Sequence, residues 1–204
     1  MNSFTKTGAA VQKMVRLALL TAIIIIMSFT PLGYLKTPGL EITLITIPVA
    51  VGAILMGPAS GAFLGAIFGL TSFIQCFGLS PFGATLLAIN PFSTFAVCFV
   101  PRVLMGFLTG VCFKFFSRVF SSNIAACAAA SLCGALFNTI FFMSFLIALF
   151  GKSDFIMGLQ GGANLFAFVI AFVGLNGAVE ALVCFIVGAA ISRALWQVFK
   201  QAKA

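Results

Sequence analysis

From Ile124 to Phe150 the chain runs without one charged residue. A bilayer-spanning helix takes about 20 predominantly apolar residues, because lipid forces every backbone polar group to bond within its own segment. Similar runs recur along the chain, at about Met14–Thr30, Ile42–Met56, Pro58–Cys76, Phe92–Phe116 and from the last loop to near Trp196. A soluble domain could not hide this much apolar surface, since 62% of the 204 residues are hydrophobic and 7% charged. The pattern predicts an all-α polytopic membrane protein of six spans, folded as a single domain over residues 1–204.

Three connections are rich in turn residues: Pro31–Glu41, Phe77–Pro91 and Gly151–Asn164. The second reads as an amphipathic loop. Between the second and third spans, Gly57 can cap one helix and Pro58 can begin the next. Placing the N-terminus inside puts Lys6, Lys13, Arg16, Lys114, Arg118, Arg193, Lys200 and Lys203 on one face. The other face receives only Lys36 and Lys152, offset by Glu41 and Asp154. That asymmetry predicts cytoplasmic N- and C-termini, with the three long loops outside. The run from Val15 has no small-residue cleavage site before Pro31 and reads as a retained span.

The net charge of +8 sits at span ends, so it orients the chain and does not mark a nucleic-acid surface. Six cysteines form no C-x-x-C pair and the chain has no His, which leaves no basis for a metal, haem or disulfide framework. "GKS" at Gly151–Ser153 lacks the first glycine of a phosphate loop, its place being taken by Leu146, and an apolar helix precedes it where a strand is required. ATP binding by this chain is rejected, and no cofactor is expected. Three acids without any pairing of nucleophile and base also leave no enzyme machinery.

Gly57, Gly61, Gly65 and Gly69 recur every fourth residue and line one helix face, where a second helix can approach closely. Packing within the same bundle is the plainer reading, and a partner the alternative. Ala18 and Ala22 form a similar small pair in the first span. The polar residues inside spans carry more information. Arg102 lies about 15 Å below the end of the fourth span, and Asn138 and Asn176 about 18 Å into the fifth and sixth. Glu180 follows Asn176 by one turn on the same face. A buried Arg needs a partner or a watery cavity. Either Arg102 bridges Glu180 with the asparagines as interhelical glue, or it holds an anionic substrate whose amide or hydroxyl groups the asparagines bond. A guanidinium grips a carboxylate bidentately, which suits a small organic acid.

The run "EITLITIPVAVGAILMGPASGAFLGAIFGLTSF" (Glu41–Phe73) resembles the second and third helices of the S components of energy-coupling-factor (ECF) vitamin transporters. Within that family it looks most like the pantothenate group. "NPFSTFAVCFVPRVLMG" (Asn90–Gly106) and "FVGLNGAVEALVCFIVGAAIS" (Phe172–Ser192) are similar to that group too, so the resemblance covers nearly the whole chain in order. It implies a six-helix bundle in the bacterial cell membrane that binds its vitamin from outside, through the upper loops and the outer halves of spans four to six. It also implies docking to a membrane scaffold subunit that carries two cytoplasmic ATPases, with toppling of the whole S component to deliver cargo. The family's AxxxA docking signature is matched by Ala18 and Ala22.

On that resemblance Arg102 would pair with the substrate carboxylate, and Asn138 and Asn176 would hydrogen-bond its polar body. Tyr34, Asn90 and Gln75 would complete or gate the pocket, and Glu180 would orient Arg102 or the asparagines. A self-sufficient carrier is the rival reading, and an S component for another vitamin the nearer one. Such carriers often show internal repeats, and no convincing repeat is present.

Overall fold

The computed structural model of the chain describes residues 3–31, 33–37, 40–160, 177–188, 190 and 194, with side chains described except at 3–9, 34–37, 40–42 and 159–160. Helix α1 covers Ser3–Ser28 and leads into a hairpin of β1 (Tyr34–Thr37) and β2 (Leu40–Thr43). Then come α2 (Thr46–Met56), α3 (Pro58–Gln75), α4 (Pro81–Ile89), α5 (Pro91–Val119), α6 (Asn123–Phe150) and α7 (Asp154–Gln160). A last apolar helix, α8, spans Gly177–Gly188 and ends in a π-helical turn from Cys184. Among the described residues, Ala10–Ser28 of α1 and the whole of α3, α5 and α6 are long and apolar enough to cross a membrane, while α2 and α8 are shorter. These six helices form the polytopic bundle that the hydropathy pattern predicts.

Helix α2 has 11 residues. At 1.5 Å per residue it is about 16 Å long, roughly half the hydrocarbon thickness. Its place in the middle of the protein makes that length workable: Thr46 to Ile54 are all buried, and α2 touches α1, α3, α5, α6 and the π-turn of α8. A helix apolar all round belongs in such a place. Pro48 sits in its first turn, where a missing N–H breaks no helical bond.

Gly57 ends α2 and starts α3. Its φ of +92° lies in the region that favours glycine, and Pro58 occupies the first position of α3. Gly57 therefore serves as a junction and does not pack in the ladder. Gly61, Gly65 and Gly69 do form the ladder, and they face α5 of this same bundle. A Cβ on Gly61 would overlap the carbonyl of Gly106, one on Gly65 the carbonyl of Arg102, and one on Gly69 the backbone of Phe99. Gly106 and Gly110 reciprocate from α5 against Gly61 and Pro58. The two backbones touch along this seam, where dispersion between main chains replaces side-chain interdigitation.

All three segments read as loops in the sequence hold structure of their own: the hairpin, α4 and α7. Tyr34–Thr37 pairs antiparallel with Leu40–Thr43, Tyr34 opposite Thr43 and Thr37 opposite Leu40. The amphipathic stretch after α3 contains α4, which Ser80 starts by accepting a hydrogen bond from Gly83 N at 3.4 Å, with Pro81 at its first position. Leu86 of α4 and Ile156 of α7 share a buried cluster with Val97, Met143, Leu146 and Phe150, so both short helices close over the start of α5 and the end of α6. Ser28 and Thr71 hydrogen-bond at 2.9 Å, which brings the ends of α1 and α3 to the same level. The hairpin, α4 and α7 thus gather at one end of the bundle. All six cysteines are free, and Cys76, Cys98, Cys127 and Cys184 are buried.

Candidate functional site

The only cation buried in the interior among the described residues is Arg102, at 8% exposure. Its position follows from the sequence around it. Pro101 has no N–H to close on Val97 O, four residues earlier, so a helical carbonyl is left open. Side chains on a helix lean toward its N-terminus. The guanidinium therefore lies back over the preceding turn, and Nη1 donates to Val97 O at 2.7 Å. Two rings pack on the charge: Phe142 of α6, with its centroid 4.7 Å from Cζ, and Phe68 of α3 at 5.5 Å. Each desolvated cation–π contact contributes about 2 kcal/mol.

These contacts leave part of the group unanswered. Arg102 Nε is buried with no protein partner. A structural bridge to Glu180 would have satisfied it, but no ion pair closes between them. Glu180, on α8 and 6% exposed, bonds Asn138 instead: Asn138 Nδ2 donates to Glu180 Oε1 at 3.2 Å. Asn138 is equally buried, and its Oδ1 also lacks a protein partner. Asn138 and Phe142 are four residues apart on α6 and so share a face, which places the amide one turn from the ring that covers the guanidinium. Arg102, Asn138 and Glu180 thus come together in the interior from α5, α6 and α8. Within this trio Arg102 Nε is a buried donor and Asn138 Oδ1 a buried acceptor without a protein partner, whereas most buried polar atoms are bonded.

Among the other pocket candidates, Asn90 and Gln75 make hydrogen bonds of their own. Asn90 is exposed and caps α5, its Oδ1 accepting from Phe92 N at 3.1 Å and Ser93 N at 3.2 Å. The Gln75 amide is buried and donates to the carbonyl of Ser28, tying α3 to α1. Tyr34 contributes its backbone to the hairpin, and its side chain, like all of Asn176, lies outside the described residues. Ala18 and Ala22 lie on the exposed face of α1, beside Leu19 and Ile23, while Leu17, Leu20, Ile24 and Met27 pack on the core.

Sequence reasoning missed Phe68, Phe142 and the Val97 carbonyl. The carbonyl could have been found from Pro101 alone, since a proline inside a helix frees the acceptor four residues before it.

The sequence family described as "ECF transporter, substrate-specific component" matches residues 12–192. The chain is 28% identical over 205 residues to the pantothenate transporter PanT of Leuconostoc mesenteroides, covering 98% of this chain and 97% of that protein. It is 30% identical over 147 residues to the pantothenic acid transporter PanT of Lactococcus lactis, covering 67% of this chain and 74% of that one. Among solved structures, ThiT from Listeria monocytogenes superposes with a TM-score of 0.67 at 18% identity, over 94% of this chain and 98% of that chain, and so shares the fold. A polytopic bundle with a desolvated polar cluster agrees with those matches: the chain belongs to the substrate-specific components of ECF transporters.

Proposed function

We infer that the chain captures pantothenate at the outer face of the bacterial cell membrane and presents it for ATP-driven uptake. The observation that carries this reading is a buried guanidinium whose Nε has no protein partner, in the same interior region as the unpartnered Oδ1 of Asn138. Burying a charge costs several kcal/mol unless something repays it, and two rings and one carbonyl repay it in part. Pantothenate brings a carboxylate for Arg102 and an amide and hydroxyls for Asn138, with Asn176 as a further ligand. The two relatives named as pantothenate transporters support the same cargo.

A substrate-specific component works beside others. Its partners in this reading are a membrane scaffold subunit and two cytoplasmic ATPases, which alone consume ATP; the chain itself is a single domain without a cofactor. The exposed face of α1 bearing Ala18 and Ala22 is the docking side, and both termini are cytoplasmic on the charge asymmetry of the loops.

Equilibrium binding of radiolabelled pantothenate to the purified chain tests the cargo. Binding at one site is expected in the parent, with a loss of roughly 100-fold or more in Arg102→Ala. Binding of equal strength in parent and variant would overturn the role of Arg102. No binding by a folded parent would overturn the cargo.

A further inference from the structure

Asn138 has two chemically different halves, and only one of them is free. Its Nδ2 donates to Glu180 Oε1, while its Oδ1 is buried without a protein partner. Oε1 of Glu180 is the acceptor in that bond, which holds the amide with its nitrogen toward α8 and its oxygen toward the interior. We propose that Glu180 is a specificity-determining positioning residue, which turns Asn138 so that the site offers ligands a hydrogen-bond acceptor at that point. This rests on the reading of the site as a substrate pocket.

The consequence is a chemical rule for the cargo. At Arg102 the site supplies donors, so the ligand must bring an anion. At Asn138 it supplies an acceptor, so the ligand must bring a hydroxyl or an amide N–H. An anion carrying only ether or ester oxygens at that position would place an acceptor against Oδ1, leaving both unpaired. A site built to bond a polar group rejects analogues that lack it far better than an apolar pocket rejects a change of size. Two features make the orientation firm. Asn138 and Glu180 are each only 6% exposed, so bulk water does not compete for either group. The two also come from different helices, so the bond persists only while α6 and α8 keep their packing.

The test compares pantothenate with three forms of it, each methylated at one hydroxyl or at the amide nitrogen, so that one donor is removed and the carboxylate kept. In the parent protein one of the three is expected to bind roughly tenfold to a hundredfold more weakly. In Glu180→Gln the partner of Asn138 can donate as well as accept, so the amide is free to turn. The ratio between the methylated form and pantothenate at that position should then fall to about threefold or less. Asn138→Leu should flatten the same position, and adding Glu180→Gln to it should change the discrimination no further. A merely structural Glu180 would lower affinity for all four ligands alike and leave their ratios intact, which overturns the proposal. If Glu180→Gln does not fold, the parent still decides: equal affinity for all four compounds overturns the role of Asn138 Oδ1. A folded parent that binds none of them overturns the pantothenate reading, and this role with it. A parent that binds with unchanged ratios in Glu180→Gln overturns only the role of Glu180.

Discussion

Pro101 removes the amide hydrogen that would close on Val97, and Arg102 Nη1 fills the vacated position at 2.7 Å. Adjacent residues thus make an acceptor and consume it, which holds the guanidinium back over its own helix and leaves Nε directed elsewhere. An arginine free to rotate would lose side-chain entropy on meeting a ligand, a cost of up to about 2 kcal/mol. Here much of that cost is met during folding.

Replacing Pro101 by Ala restores an N–H that competes for the Val97 carbonyl. Thermal stability in detergent should stay level or rise, because an interior proline is removed from a helix. Pantothenate affinity should fall about threefold to tenfold as the guanidinium loses its anchor. Unchanged affinity would mean that the Phe68 and Phe142 rings alone hold the charge.

Gly65→Ala sets a methyl group against the Arg102 carbonyl. Overpacking of this kind costs about 1–3 kcal/mol, and the obstacle is main chain, which has no rotamer to yield. A lower thermal midpoint with weakened binding is expected, since the displaced backbone carries the site. Gly57→Ala should cost about 1–3 kcal/mol from its positive φ alone, but should leave binding intact. Equal loss of binding at the two positions would argue against a seam.

Ala22→Trp introduces a large side chain on the exposed face of α1. The purified chain should bind pantothenate as the parent does, while uptake by cells expressing the complete transporter should be lost. Co-purification of the scaffold subunit provides the second readout. Normal uptake would remove this face from the docking surface.

Asn90→Ala deletes the cap of α5. A loss of about 1 kcal/mol in stability is expected, with affinity within about twofold of the parent, because the side-chain oxygen already accepts from Phe92 and Ser93. A fall in affinity well beyond the loss in stability would return Asn90 to the pocket.

Much of the fold can be read from hydropathy, because lipid leaves the chain so few options. The ends of α3 and α6 lie within a residue or two of where the apolar runs stop. Helix α1 starts earlier than its apolar run, at Ser3, since a helix continues through Lys6 and Lys13 wherever its backbone bonds can. Hydropathy has nothing to say about segments that do not cross. The hairpin and α4 had only local signals, Pro38-Gly39 between two short runs and Ser80-Pro81 before another, and those signals are about turns and caps.

The site was legible in part for a related reason. Arg102, Asn138 and Glu180 stand out because each is costly in an apolar helix. Their pairing could not be read, because whether Arg102 meets Glu180 or a carbonyl depends on how α5, α6 and α8 cross. Phe68 and Phe142 were hidden by numbers: with 26 phenylalanines in the chain, none draws notice by type, and only the fold selects two.

The contact between α3 and α5 also limits how a cargo can get in and out. Where Gly61 meets Gly106 and Gly65 meets Arg102, main chain lies on main chain, with no side chains to swing aside. Such a wall has no half-open setting, so α3 and α5 must travel as one piece. Movement around the guanidinium falls instead to α6 and α8, which meet through side chains: the Asn138–Glu180 hydrogen bond and the apolar packing of Ala135 with Ala181 and Cys184.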